Sequence, residues 1–188
     1  MQKKSRFWII IYVLAVVSLA CNLPFFTPKT PAPPIPITTE AVQSLEETAQ
    51  NAYEGIQQGE TATFVITETQ LTSLVALKLQ EVGNQTITNP QFYLRDGKLQ
   101  VYGTITREEL EAIAFVVIAV GVDASGQPVF DIESAQLGPV PLPEELISQL
   151  ETQLQLIFQQ EIAKLAPNIA VDSITIADGQ MTIVGHPR

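Results

Sequence analysis

The sequence predicts an α+β domain of three helices and about six to seven antiparallel strands, and three observations carry this. Apolar residues recur at helical spacing in three separate segments. Two Asp-Gly pairs, Asp96-Gly97 and Asp178-Gly179, each join runs that alternate apolar and polar residues, the pattern of a tight hairpin. Between them lie eleven residues, Ala112–Val122, without one polar side chain.

Taken in order, residues 40–57 place Val42, Leu45, Ala49, Ala52, Tyr53 and Ile56 on one helical face. "FVITETQLTSLVALKLQEVG" reads as a short strand and then a helix. Thr67 and Gln70 form its capping box, Leu71, Leu74, Val75, Leu79 and Val82 its stripe, and Gly83 its stop. "PQFYLRDGKLQVYGTI" is a hairpin about Asp96-Gly97, after which the apolar run turns at "DASGQP" into "VFDIESAQLG". Pro141 and Pro143 introduce a third helix, 144–166, whose stripe is Leu146, Leu150, Leu154, Ile157, Phe158, Ile162 and Leu165. At 1.5 Å per residue it is about 34 Å long, enough to span a domain whose radius of gyration is near 15 Å. "VDSITIADGQMTIVG" closes the chain as another hairpin.

The N-terminus reads separately. Lys3, Lys4 and Arg6 precede an apolar stretch from Phe7 to Val17 and a small-residue end, the pattern of a secretory signal over residues 1–20. "VSLAC" resembles a bacterial lipobox, with Ser18 where Leu is usual, and makes Cys21 the expected lipid-attachment residue. An ordinary signal or a retained anchor with an incidental Cys is the alternative. Residues 21–39 hold six prolines, among them Pro33, Pro34 and Pro36, and read as an extended spacer. The single domain then occupies 40–188. Its expected place is the extracytoplasmic face of the cell membrane, held by a lipid anchor.

Charge narrows the partners. Removing residues 1–20 takes away three of the ten Lys and Arg and none of the twenty Asp and Glu, so the net charge falls from −10 to −13. Such a chain repels nucleic-acid backbones. It carries one His, His186 near the C-terminus, which reads as a frayed terminal residue, and one Cys. No nucleophile–base pair, metal-ligand cluster or phosphate loop appears, so no catalytic residue, metal or cofactor is expected. Arg95, Lys98 and Arg107 flank the apolar run and read as partners of nearby Glu, with a lipid phosphate as the alternative.

"LRDGKLQVYG" and "IADGQMTIVG" share one apolar–polar pattern, and each follows an amphipathic helix, so the chain echoes itself. Asp-Gly hairpins also recur by chance, because type I′ turns demand those residues. "FVITETQLTSLVALKL", "DGKLQVYGTI", "SAQLGPVPLPEELISQL" and "DGQMTIVG", in that order, resemble segments of the YpmS-like and LmeA-like membrane-anchored extracytoplasmic proteins over about residues 62–186. The resemblance implies a curved antiparallel sheet wrapped on a long amphipathic helix, similar to the tubular lipid-binding (TULIP) scaffold. For LmeA-like members it also implies phospholipid binding. It offers no catalytic residue to carry over.

In a strand, Ala112, Ala114, Val116, Ile118, Val120 and Val122 point one way and Ile113, Phe115, Val117 and Ala119 the other. Both faces are apolar, so each needs cover, by helices, by a lipid acyl chain or by a partner protein. Eleven residues fall well short of the roughly twenty of a membrane-spanning helix. Small Ala112, Ala114 and Ala119 leave room beside Phe115 and Ile118. The expected site is therefore a groove between sheet and long helix, formed by Ala112, Ala114, Phe115, Val116, Ile118, Ala119, Leu150, Leu154, Ile157 and Phe158. The expected function is non-catalytic binding of a phospholipid or other acyl-chain lipid. A structural or protein-interaction module of the envelope, with its sheet packed shut, is the alternative.

Overall fold

The computed structural model describes residues 33–107, 110–165, 169–177 and 179–188, with backbone alone for residues 107, 110 and 157–165. Helix α1 (Thr39–Gln57) leads to strand β1 (Ala62–Thr67) and helix α2 (Glu68–Glu81). Strands β2 (Ile87–Arg95), β3 (Lys98–Arg107), β4 (Leu110–Val122), β5 (Pro128–Leu137) and β6 (Val140–Pro141) follow. Helix α3 (Glu144–Leu165) precedes β7 (Ile169–Ala177) and β8 (Gln180–Pro187). The architecture is the α+β one expected, with three helices and eight strands among the described residues. The strand beyond seven is two-residue β6, too short to leave a periodic signature.

The local signals work as their chemistry requires. Thr67 Oγ1 accepts from Gln70 N (3.3 Å) while Gln70 Oε1 accepts from Thr67 N (2.9 Å), so two N–H groups at the start of α2 are satisfied reciprocally. Asp96 and Gly97 both take positive φ, 54° and 72°, the type I′ geometry that matches strand twist.

The strands form two antiparallel sheets where the sequence pointed to one: a strongly curled sheet ordered β2-β3-β4-β5-β6 and a smaller one ordered β1-β8-β7. The two echoing hairpins fall in different sheets. Strand β7 crosses the end of the larger sheet that carries its β2–β3 and β4–β5 turns. At one end Val171 N donates to Gly126 O (3.2 Å). At the other Gly179 N donates to Leu94 O (2.9 Å). Long-range pairing of this kind leaves no local mark, which is why the split is illegible in the sequence.

Both long edges of the larger sheet are closed by helix side chains. On β2, the amide of Phe92 donates to Thr72 Oγ1 (3.0 Å) and that of Leu94 to Glu68 Oε1 (2.7 Å), both acceptors from α2. On β5, Ile132 N donates to Glu151 Oε1 (2.7 Å), and Gln155 Nε2 donates to Pro128 O (2.8 Å), both from α3. An open strand edge is a template for aggregation, and these contacts remove it.

The chain is already tied to the body upstream of α1. Gln91 accepts from Ile35 N (2.7 Å) and donates to Ile35 O (3.3 Å), imitating a neighbouring strand, and Thr38 N donates to Ser73 Oγ (3.0 Å). Cys21 and the expected signal and spacer up to residue 32 lie outside the described residues.

Candidate apolar groove

The ladder to β3 pairs Ile105 with Ala112, Gly103 with Ala114, Val101 with Val116 and Leu99 with Ile118. That to β5 pairs Leu137 with Ala114, Ala135 with Val116 and Ile132 with Ile118. These residues share one face, because directly paired residues project to the same side of a sheet. At the turn end that face is closed: Ile118, Ile132 and Ala135 are buried, and Leu99, Val101, Val116, Val120, Phe130, Leu142, Ile147 and Leu154 pack against them.

Away from the turns the same face opens. Ile87, cross-strand from Ile105, is 36% exposed, Leu137 42% and Val140 61%. Between them Gly103, Ile105, Ala112 and Ala114 are half-buried. A Cβ placed on Gly103 would meet only Ile87 and Thr88, its neighbours on β2, and nothing from α3.

Helix α3 covers the turn end. Its side chains advance about 100° per residue. Glu151 and Gln155 reach the β5 edge, and Ile147 and Leu154 lie on the sheet face. Leu150 and Leu146 stand off that contact line and are 43% and 47% exposed. The open part of the face thus sets small Gly103, Ala112 and Ala114 among exposed Ile87, Leu137 and Val140, with exposed Leu146 and Leu150 on α3.

The expected residues divide accordingly. Leu150 is exposed on α3, Ala112 and Ala114 share the open part of that face, and Val116 packs against its closed end. Ile118 and Leu154 belong to its closed, filled end. Phe115 and Ala119 do not line it: the two-residue period of the strand turns them to the opposite face. There Phe115 stacks on Tyr102 (ring centroids 4.4 Å apart), which meets Tyr93 edge-on at 5.7 Å. Ile157 and Phe158 lie on α3, with side chains outside the described set. Gly103, Ile105, Ile87 and Leu137 were missed, since only the cross-strand register assigns them to the alanines' face. Leu146 stood in the helical stripe and is exposed on the first turn of α3.

The opposite face is covered by protein. β7 packs against β4 there. Tyr93 and Tyr102 are buried, which pushes both phenols above their ordinary value; the Glu68 charge adds to the effect on Tyr93 and the neighbouring Tyr93 to that on Tyr102. The apolar run thus has protein on one side. On the other it is packed at the turn end and left partly exposed at the far end.

The basic residues beside the run are engaged. Arg95 pairs with Glu68 (Nη2–Oε2 3.0 Å) and Lys98 with Glu133 (2.5 Å); the Arg107 side chain lies outside the described set. His186 is not a frayed end: it sits in β8 opposite Ala170, with Nδ1 2.8 Å from Asp172 Oδ1. Among the described residues every buried side-chain polar atom has a partner, no group of three or more His, Cys, Asp or Glu is placed to hold a metal, and no helix is long and apolar enough to cross a membrane. A concavity of about 310 Å³ lies between α1 and β1, lined by Thr48, Asn51, Glu60 and Thr63 among others; it is open and polar. The chain matches no family model, and no curated protein matches it.

Proposed function

We propose that this protein is a lipid-anchored extracytoplasmic lipoprotein that holds a phospholipid or another acyl-chain lipid, without catalysis, in the groove between α3 and β3–β4. One observation carries the reading: on one face of the curled sheet the apolar residues Ile87, Leu137 and Val140 are left exposed around small Gly103, Ala112 and Ala114. Each methylene buried there contributes about 0.8 kcal/mol, so chain length rather than polar recognition sets affinity. An apolar surface of this kind on a secreted domain marks a binding site. The resemblance to the LmeA-like proteins points the same way, and the "VSLAC" stretch at Cys21 supports the anchor.

The filled end about Ile118, Ile132 and Ala135 supports the second reading, a structural module of the envelope. Native mass spectrometry of the chain extracted from its membrane separates the two. The lipid reading expects a stoichiometric adduct that Ala114→Phe removes and Ala119→Phe, on the other face, leaves. A bare mass, before and after incubation with phosphatidylcholine vesicles, selects the structural module.

A further inference from the structure

We propose that the outer edge of β1 takes up an extended peptide as an added strand, and that a basic side chain of this peptide enters the concavity between α1 and β1. Strand β1 ends the smaller sheet, ordered β1-β8-β7. Glu68 N donates to Gly179 O (3.1 Å), one step beyond the Thr67–Gln180 pair of the ladder. Hydrogen-bonded pairs alternate along an antiparallel ladder, so Ile66, Phe64 and Ala62 bond to β8. Thr63, Val65 and Thr67 then turn their N–H and C=O groups outward. Gln70 Oε1 takes the Thr67 amide. Among the described residues the outward backbone groups of Thr63 and Val65 have no partner. The other sheet edges are guarded. Thr72 and Glu68 close β2, and Glu151 and Gln155 close β5. β6 is two residues long and ends in Pro141, and β7 carries a bulge with exposed Asp172 beside it. The stretch Ala62–Thr67 has no charge, no proline and no bulge. An edge left in this state accepts another strand.

The concavity identifies the occupant. Thr48, Asn51 and Gly55 line it from α1, and Glu60, Ala62 and Thr63 from the start of β1. Ala62 and Thr63 project to opposite faces of their strand, and β8 contributes nothing to the lining, so the concavity borders the outer edge. Glu60 is its one charged residue. A Cβ on Gly55 would lie 3.7 Å from Glu60 Oε2, so the glycine leaves room beside the carboxylate. Among the described residues the Glu60 side chain has no hydrogen bond or ion pair. A Lys or Arg on the added strand supplies the missing counter-charge, while main-chain bonds to Thr63 and Val65 hold the strand. A second copy of this chain fits poorly, because its β1 has no basic residue and the chain carries a net charge of −10.

The test uses the full-length chain in detergent micelles and a fluorescent capped peptide, Thr-Val-Thr-Val-Thr-Lys. Antiparallel to β1, this peptide brings its Lys to the start of the strand. At low salt it should bind about tenfold more tightly than the same peptide ending in Glu, because repulsion then replaces attraction. Glu60→Gln should remove most of that preference, and Glu145→Gln, on α3, none of it. Val65→Pro deletes one outward donor and no bond to β8, and should abolish binding of both peptides. N-methylation of the peptide amides that face β1 should do the same to the unaltered chain, which decides the matter should the proline variant fold poorly. Binding that survives N-methylation overturns the added strand. A Lys preference that Glu60→Gln leaves intact overturns the concavity as the place of the cation. No binding at millimolar peptide overturns the whole proposal. Self-association of the chain that Val65→Pro abolishes does so too, by giving the edge to a second copy.

Discussion

At Gly185 a Cβ would lie 2.9 Å from the Ala170 carbonyl oxygen and 3.2 Å from Ile169 Cγ2. Both belong to β7 and are held by the ladder, so neither moves without disturbing the smaller sheet. Gly185→Ala should therefore cost about 1–3 kcal/mol, the usual effect of overpacking, read as a lower urea midpoint. The phenols of Tyr93 and Tyr102 give a second residue-level expectation. Burial favours their neutral forms in the folded state, so each folded pKa lies above the ordinary value of 10. Their contribution is complete below that value and is lost as pH rises through it toward the folded values, because the unfolded chain releases these protons first. The melting temperature should fall on raising pH above about 10, and less steeply in Tyr102→Phe, which has no proton to lose there. An equal fall in both would remove Tyr102 from the account. The Tyr93 hydroxyl also donates to Gln91 Oε1 (3.3 Å), so its ionisation disturbs the acceptor that holds Ile35.

At the scale of elements, the closing of both sheet edges explains why acidic and polar residues stand on the inner side of α2 and α3. Glu68 accepts from Leu94 N and pairs with Arg95, and Leu94 is wholly buried. Glu151 accepts from Ile132 N on the other edge. Replacing either by Ala leaves a strand amide without its acceptor, at about 1–3 kcal/mol each. The Glu68 change should be the larger, since it also strips Arg95 of its partner. Hydrogen exchange should speed at Ile132 in Glu151→Ala and at Leu94 in Glu68→Ala. Unchanged protection would mean that water or another group takes over the acceptor role. On α2 the expected apolar stripe did not mark the buried face: Gln70, Thr72, Ser73 and Ala76 are the buried residues, and Val82 is 72% exposed beyond the helix end. Thr72 and Glu68 stand off the stripe, and their work is visible once β2 lies beside α2.

For the whole molecule, the docking of Ile35 and Thr38 fastens the segment before α1 to the body at β2 and α2. A chain beginning at Thr39 loses the three hydrogen bonds that Gln91 and Ser73 make to the backbone of Ile35 and Thr38. It also leaves Gln91, 7% exposed, without two of its partners. It should melt lower than a chain beginning at Pro33, by several degrees for a loss of about 1–2 kcal/mol. Identical melting of the two would show the segment to be a passive spacer up to α1.

The sequence by itself determined the α+β class, the three helices, the capping box at Thr67, the Asp-Gly turn of β2–β3 and the two apolar faces of β4. Each of these is a local matter of periodicity or turn chemistry, settled within a dozen residues. Tertiary structure decided the division into two sheets, the helix side chains that close β2 and β5, and which face of β4 is covered. Pairing register added Gly103, Ile105, Ile87 and Leu137 to the face that Ala112 and Ala114 share, opposite the one that holds Phe115 and Ala119. The reason is physical: a strand's own pattern says that two faces exist, while pairing register and the rotation of α3 about β5 determine what each face meets.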